Sequence, residues 1–174
     1  MISYQYSKKI LKKAIIKIND ENIKSTNSLN RVVSKNVYSG INYPSGDNAA
    51  FDGYAINSND TKNIKKNLPK KFKIIGLIAA GNKPLKKKVQ KYDTVEIMTG
   101  GIIPKGFDTI IPIEQIIFYP NKKNKKYILI EKKISKYNHV RFAGSDFKKK
   151  EIIVKKNTII QPNHILAFKT LGIK

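Results

Sequence analysis

The sequence has no cysteine and no tryptophan among its 174 residues, and it has only two histidines, His139 and His164. The missing cysteine excludes a disulfide scaffold, a thiolate zinc site and a cysteine nucleophile. Two histidines are too few for a histidine-rich metal site. The sequence contains no run of 18 apolar residues, so it predicts no membrane span, and its first residues lack the apolar stretch of a signal peptide. We therefore expect a cytoplasmic protein without a membrane partner.

Acidic residues are also scarce, since 12 of them face 35 basic residues and the formal net charge is +23. Such a charge attracts polyanions. Arginine is nearly absent, however, and it is the residue that proteins use for bidentate phosphate and base contacts. Abundant Lys, Asn and Ile are typical of an AT-rich coding sequence. We expect no specific nucleic-acid partner, and DNA binding that is weak and salt-dependent; selection of the charge for a polyanionic partner stays the alternative.

Both ends of the chain predict helices. Ser3 is placed to cap a helix whose apolar stripe runs from Ile10 to Ile18, and a shorter helix is expected over 28–35. Pro162 suits the first position of a last helix that ends before Gly172. We expect the first and last helices to pack together.

The middle of the chain predicts β-structure around a loop at 42–48, which is rich in turn-forming residues. Pro112 indicates an edge strand or a bulge. The expected strands are 72–80, 94–98, 109–114, 116–119 and 127–131, with shorter ones at 139–142 and 151–154. The fold class is therefore α+β.

The first block with chemical potential runs from Pro44 to Ala55 and carries two carboxylates, Asp47 and Asp52, five positions apart. One interpretation is a capped turn, because Asp-Asn and Asp-Gly are common in turns. The other is a carboxylate displayed from a sharp turn, where it orients a hydrated cation or acts as acid or base.

A second block leads from a strand into Thr99-Gly100-Gly101, whose backbone N–H groups are expected to form a concave anion-binding nest. It lacks the Gly-Lys-Ser/Thr end of a phosphate-binding Walker loop. In a third block, at 140–146, we expect Arg141 to hold a carboxylate and Gly144 to Asp146 to form a turn.

Taken in order, these blocks resemble the MoeA and gephyrin E-domain family, the molybdopterin molybdenumtransferases. The family's Asp-Asn-Ser-Ala-Met-Asp-Gly-Tyr-Ala motif is similar to residues 47–55, and its Ile-Met-Thr-Gly-Ala motif to residues 97–101. The resemblance continues through 29–33, 79–81, 104–108, Glu114, 140–146 and 158–172. The sequence departs from the family at Ala49, Phe51, Glu96 and Ser145.

The resemblance implies a mixed-β domain at 41–137, inserted into a helical linker domain formed by residues 1–40 and 138–174. Members of the family continue into a pterin-binding domain and a C-terminal domain, both absent here, so we expect a fragment, a split-gene product or a degenerate copy. The implied reaction inserts molybdenum from molybdate into adenylylated molybdopterin, with Mg²⁺ as cofactor and a homodimer as the assembly.

The resemblance also implies roles for individual residues. It assigns catalytic positions to Asp52, as a polar or acid–base group, and to Thr99, as a hydroxyl that positions substrate. Asp47, Asn48, Gly100 and Gly101 would shape the substrate-binding loops, and the ligands of Mg²⁺ would lie in the absent domain, with no metal ligand here. We expect this transferase fragment to be inactive alone. The alternative is a non-catalytic dimerisation or scaffold module.

Overall fold

The computed structural model describes residues 2–14, 18–82 and 87–174. The chain divides into two compact units, one formed by Met1–Val37 together with Ile153–Lys174 and the other by Tyr38–Ile152. The family's domain boundaries at 40/41 and 137/138 stay a prediction. None of the described helices is long and apolar enough to cross a membrane.

The structure contains ten short strands and two α-helices among the described residues. In chain order these are α1 (Tyr4–Lys13), β1 (Val37–Tyr38), β2 (Asn48–Ala49), β3 (Gly53–Ile56), β4 (Lys70–Ile78), β5 (Asp93–Ile97), β6 (Thr109–Pro112), β7 (Ile117–Tyr119), β8 (Tyr127–Ile130), β9 (Val140–Arg141), β10 (Ile152–Val154) and α2 (Pro162–Thr170). Single 3₁₀ turns occur at Ser25–Asn27, Ser58–Thr61 and Ile113–Gln115.

The larger unit is built on a six-stranded sheet in the order β6–β3–β5–β4–β8–β7. β4 and β5 run parallel, and every other neighbouring pair in this sheet is antiparallel. The mixed β-structure expected from the sequence is therefore confirmed. β6 lies at an edge of the sheet, as Pro112 predicted, because proline removes a ladder donor that a central strand needs.

Strand β3 divides the core of this unit between the two faces of the sheet. Side chains alternate along a strand, so Tyr54 and Ile56 pack in one apolar cluster and Ala55 in the other. The residues of this segment predict a turn, and in the structure they form strand β3 instead. All four residues of β3 are buried, which is the pattern of a central strand rather than of a turn.

Two further ladders connect distant segments. β2 pairs antiparallel with β9, which places Asn48 opposite Arg141 and so brings the first block beside the third. β1 pairs with β10 in a sheet of two strands. The short strands expected at 139–142 and 151–154 are present as β9 and β10.

The unit formed by the chain ends does not show the helical module that the sequence predicted. Ser3 caps α1 as expected, but the helix ends at Lys13, and none of its residues is buried. Ile18 is not helical, and residues 15–17 of the expected stripe lie outside the described residues. The predicted packing of the first helix on the last is wrong: the apolar side of α2 packs instead in a cluster of Val33, Val154, Ile160 and Phe168.

The predicted helix at 28–35 is also wrong. Asn30 has a φ of 62°, which interrupts any right-handed helix. The backbone of this segment bonds to a distant strand-like segment, since Val33 N donates to Thr158 O and Ile160 N donates to Arg31 O. Long-range pairing therefore replaced the local helix that the apolar spacing indicated. α2 itself begins at Pro162 as predicted, and His164 Nδ1 accepts the N–H of Gln161 at its start.

Candidate functional site

Asp52 and Thr99 meet where the ends of two neighbouring strands adjoin. Asp52 directly precedes β3 and Thr99 follows β5, and the antiparallel register sets Gly53 opposite Ile97. Oδ1 of Asp52 accepts hydrogen bonds from the backbone N–H of Thr99 at 2.7 Å and from its hydroxyl at 2.8 Å. Both residues are exposed to solvent. The structure thus brings together the two residues that the resemblance implied as catalytic.

This contact keeps the Asp52 carboxylate ionised. The N–H of Thr99 and then its hydroxyl lower the pKa of Asp52 below the ordinary 3.8, because both donors stabilise the charged form. No described residue donates a hydrogen bond to the second oxygen, Oδ2, so it faces solvent as an acceptor. A carboxylate with a lowered pKa is better suited to binding a donor or a cation than to moving a proton near neutral pH.

The nest expected from Thr99-Gly100-Gly101 is not available to an anion. Its three N–H groups all donate within the protein: Thr99 to Asp52, Gly100 to Ala49 O at 2.9 Å and Gly101 to Met98 O at 2.8 Å. The prediction of an anion site at these amides is therefore wrong. Gly100 has a φ of 80°, so this turn needs glycine for its backbone conformation.

Asp47 has a bridging position rather than a displayed one. Its Oδ1 accepts the backbone N–H of Ala143 at 2.9 Å, and its carbonyl accepts the N–H of Ile103. Asp47 therefore joins the first block to both of the others. In the third block Arg141 forms an ion pair with Asp146, so the expectation that Arg141 holds a carboxylate is confirmed.

Asn48 lies inside the protein, where a bound molecule could not reach it without local opening. The residue is 5% exposed. Its amide oxygen is buried and accepts no hydrogen bond among the described residues. Its assignment to substrate binding stays a prediction, and the structure gives it a core position beneath the loop.

The close approach of strand β6 explains why Asp52 is followed by a glycine. A Cβ atom at this position would lie 2.0 Å from the carbonyl oxygen of Ile111 on the neighbouring strand β6. Real Cβ atoms do not approach a backbone oxygen so closely, so only glycine fits this register. Gly53 therefore allows β3 to pack closely against β6, and Asp52 lies just before β3 begins.

A second polar cluster on the same sheet was missed in the sequence. Lys125, from the turn between β7 and β8, donates to both carboxylate oxygens of Glu96 at 2.7 and 2.8 Å. Glu96 raises the pKa of Lys125, and burial, followed by the charge of Glu96, raises the pKa of Tyr54. Glu96 is one of the positions at which the sequence departs from the family motif, and this departure was the available signal. Its partner, Lys125, lies 29 positions away in the chain.

Comparison with known proteins identifies the family to which these motifs belong. A family model of the MoeA N-terminal region, domains I and II, matches residues 2–172. The chain belongs to the MoeA family. The motif order that suggested the resemblance is thus a property of nearly the whole chain.

Relatives and structures of the MoeA family agree with this placement. A molybdopterin molybdenumtransferase of Staphylococcus aureus strain N315 is 30% identical over 145 residues, and one of Haemophilus influenzae is 31% identical over 145 residues. Each alignment covers 83% of this chain and 33% of the relative. The crystal structure of the molybdopterin biosynthesis moeA protein from Pyrococcus horikoshii OT3 matches with a TM-score of 0.86 and 29% identity, over 100% of this chain and 45% of that one. The chain therefore spans about a third of the length of these curated relatives.

The described residues do not fit a Mg²⁺ site of their own. They contain no group of three or more His, Cys, Asp or Glu side chains placed to hold a metal ion. Asp52 offers one carboxylate whose Oδ1 is already occupied by two donors.

Proposed function

We propose that this chain contributes part of the active site of a molybdopterin molybdenumtransferase. This part, called here the Asp52–Thr99 corner, is the exposed surface around the hydrogen-bonded pair of Asp52 and Thr99. In the proposed reaction, molybdenum from molybdate is inserted into adenylylated molybdopterin and AMP is released. Support comes from membership of the MoeA family and from the similarity to relatives that are molybdopterin molybdenumtransferases. Mg²⁺, a homodimer and a cytoplasmic location belong to the same proposal.

The observation that carries the proposal is the double hydrogen bond from Thr99 to one oxygen of Asp52. It fixes the hydroxyl hydrogen of Thr99 on Asp52, so the remaining lone pairs of Thr99 Oγ1 are acceptors directed elsewhere. Oδ2 of Asp52 provides a further acceptor beside them, on a carboxylate whose pKa is lowered. The pair would orient a donor group of the substrate, with Asp52 acting as an ionised anchor and Thr99 as the positioning hydroxyl.

The exposure of this corner argues that the 174 residues do not complete the reaction alone. Asp52, Thr99 and Gly100 are all exposed, and a transition state is stabilised by preorganised groups in a site that excludes water. A further surface must therefore cover the corner. We propose that this surface comes from the remaining part of a family transferase.

The test measures AMP release from adenylylated molybdopterin with molybdate and Mg²⁺. The chain alone is compared with a fusion in which the rest of the Staphylococcus aureus relative, beyond the matched region, follows Lys174. We expect release by the fusion and none above background by the chain alone. Turnover by the chain alone at the rate of the full-length relative would contradict the need for a covering surface.

The same assay separates the catalytic proposal from its alternative. A folded, dimeric fusion that releases no AMP would contradict the transferase proposal and favour a scaffold module. Apolar side chains exposed on α1, Ile10 at 47% and Leu11 at 73%, are the observation that keeps this alternative in view.

A further inference from the structure

A polar cavity of about 210 Å³ lies beside β6 in the unit of the six-stranded sheet. Ile110, Ile111 and Pro112 of β6 form one wall. The polar lining comes from Gln115, Lys132, Lys133, Ser135, Asn138 and His139. We propose that this cavity is a binding site for a small tetrahedral oxyanion, with inorganic phosphate as its simplest representative.

The charge at the cavity supports an anion. Lys132 and Lys133 are consecutive in the chain, yet both line the same cavity, and none of the described residues that line it is acidic. Neither lysine forms an ion pair among the described residues, in contrast to Lys125, which is held by Glu96. Two lysines that line one cavity and have no acidic partner make charge-assisted hydrogen bonds to an oxyanion favourable.

Neutral donors complete the lining. Gln115, Ser135 and Asn138 also line the cavity. Their side-chain amides and hydroxyl can each donate to an anion. The two amide groups are not used by any hydrogen bond within the described part of the chain. A mixed set of ammonium, amide and hydroxyl donors around one space is typical of a site for a compact oxyanion.

The backbone of the cavity is held in place by hydrogen bonds to β6. Ile110 N donates to Asn138 O at 3.0 Å, Thr109 Oγ1 donates to Ser135 O at 3.2 Å, and Tyr137 N donates to Thr109 Oγ1 at 3.0 Å. Thr109 is fully buried, so this attachment is protected from water. The backbone positions of Ser135 and Asn138 are therefore set before an anion binds, and a preformed backbone loses less affinity to ordering.

The size of the cavity suits a small ligand. Its volume of about 210 Å³ is well above the roughly 10–15 Å³ that a cavity needs to hold one water molecule. It therefore has room for a tetrahedral oxyanion with part of its hydration shell.

His139, which lines the cavity, contacts the segment that carries Asp52. The cavity shares no residue with the Asp52–Thr99 pair. Ala50 N donates to His139 O at 3.0 Å, and the His139 ring contacts Phe51 edge to face at a centroid distance of 5.0 Å. The inference goes beyond the proposed function and does not depend on it. Its test uses no turnover measurement, so its failure leaves the proposed function unaffected.

The experiment is an NMR titration of the full ¹⁵N-labelled chain with inorganic phosphate, at ionic strength held constant with chloride. The double variant Lys132→Ala/Lys133→Ala is compared with Lys122→Ala/Lys123→Ala, which removes the same charge from two exposed, consecutive lysines of the turn between β7 and β8. We expect saturable shifts of the Ser135, Asn138 and His139 amides. The affinity should fall about tenfold or more in the first variant and stay within about twofold in the second.

Sulfate and molybdate arms identify the oxyanion class, and saturable binding of any of the three at these amides supports the site. Equal weakening in both lysine variants, or shifts spread over the lysine-rich surface without saturation, would overturn it, because net charge alone would then explain the effect. Should the first variant not fold, Gln115→Ala/Asn138→Ala replaces it, with a loss of affinity again expected. Unchanged affinity in that folded variant would also contradict the proposal.

Discussion

Asp47 and Asp52 lie five positions apart in one motif, and the structure gives them different tasks. Asp47 accepts the backbone N–H of Ala143 and so ties two loops together. Asp52 accepts both donors of a single residue, Thr99, and its pKa is lowered as a result. One motif can therefore carry two carboxylates with different tasks, one that joins loops and one that holds a neighbouring threonine by its backbone and its hydroxyl.

Gly53 directly follows Asp52 in this motif, and its substitution should have the largest effect on stability. Gly53→Ala places a Cβ 2.0 Å from Ile111 O in a central strand, so we expect a loss of about 4 kcal/mol in the free energy of unfolding. Chemical denaturation followed by circular dichroism measures it. Gly40→Ala is the matched control, because no atom lies within 4 Å of its added Cβ, and it should change stability by less than about 0.5 kcal/mol. A Gly53→Ala protein as stable as the control would show that the strand register is not what the structure describes.

Thr99→Val tests whether the hydroxyl that Thr99 donates to Asp52 is needed for the proposed reaction. The variant keeps the backbone donor to Asp52 and removes the hydroxyl donor, so the carboxylate remains but the positioned hydroxyl is lost. We expect about a tenfold fall in AMP release by the fusion, the effect of one hydrogen bond to a charged group. Thr99→Ser should recover most of the rate. Full activity of Thr99→Val would remove the hydroxyl from the proposed site.

Asp47→Ala tests whether Asp47 stabilises the two loops that it joins. It leaves the N–H of Ala143 without its acceptor, and we expect a loss of about 1 kcal/mol in the free energy of unfolding. Asp47→Asn keeps an acceptor oxygen at the same place and should lose less than half as much. Urea denaturation of the three proteins measures both values. Equal losses for Ala and Asn would mean that the charge of Asp47, rather than its hydrogen bond, stabilises the loops.

The smallest expected effect is a pH dependence that belongs to Asp52. Because its pKa is lower in the folded chain, its contribution to stability is present above the ordinary pKa of 3.8 and is lost as the pH falls through the folded value. The difference in melting temperature between the wild type and Asp52→Asn should therefore shrink below about pH 4. The pKa of Asp146 is also lowered, by Arg141, but both proteins share that group. A difference that widens on acidification would contradict the lowered pKa.

The sequence indicated the sheet better than the connections around it. Strands with apolar runs, such as β4 and β5, were predicted within two residues of their ends, because burial of such runs is a local signal. β3 was missed because Asp52, Gly53 and neighbouring small residues are typical of turns, whereas here Gly53 is required by the approach of β6. The helix expected at 28–35 failed for a related reason, since its residues pair with a segment about 130 positions away.

The residues of the candidate site could be named from the motif, but their geometry could not. The meeting of Asp52 with Thr99 depends on the register of β3 with β5, which is a tertiary property. The amides of the Thr99-Gly100-Gly101 turn gave a misleading signal, because nearby acceptors such as Ala49 O become visible only in the fold. The basic cavity at Lys132 and Lys133 had no signal at all in a sequence where lysine is common everywhere.

The most direct test of the central claim measures turnover and stability of Asp52→Asn in the fusion, beside Asp47→Asn. Asparagine retains an acceptor but carries no negative charge. We expect Asp52→Asn to stay folded, with only a slightly lowered melting temperature, and to lose AMP release by about 100-fold or more. Asp47→Asn should retain AMP release to within about twofold and should likewise stay folded. Unchanged turnover in Asp52→Asn, or a collapse of its melting temperature, would make Asp52 a structural residue like Asp47 and would contradict the account.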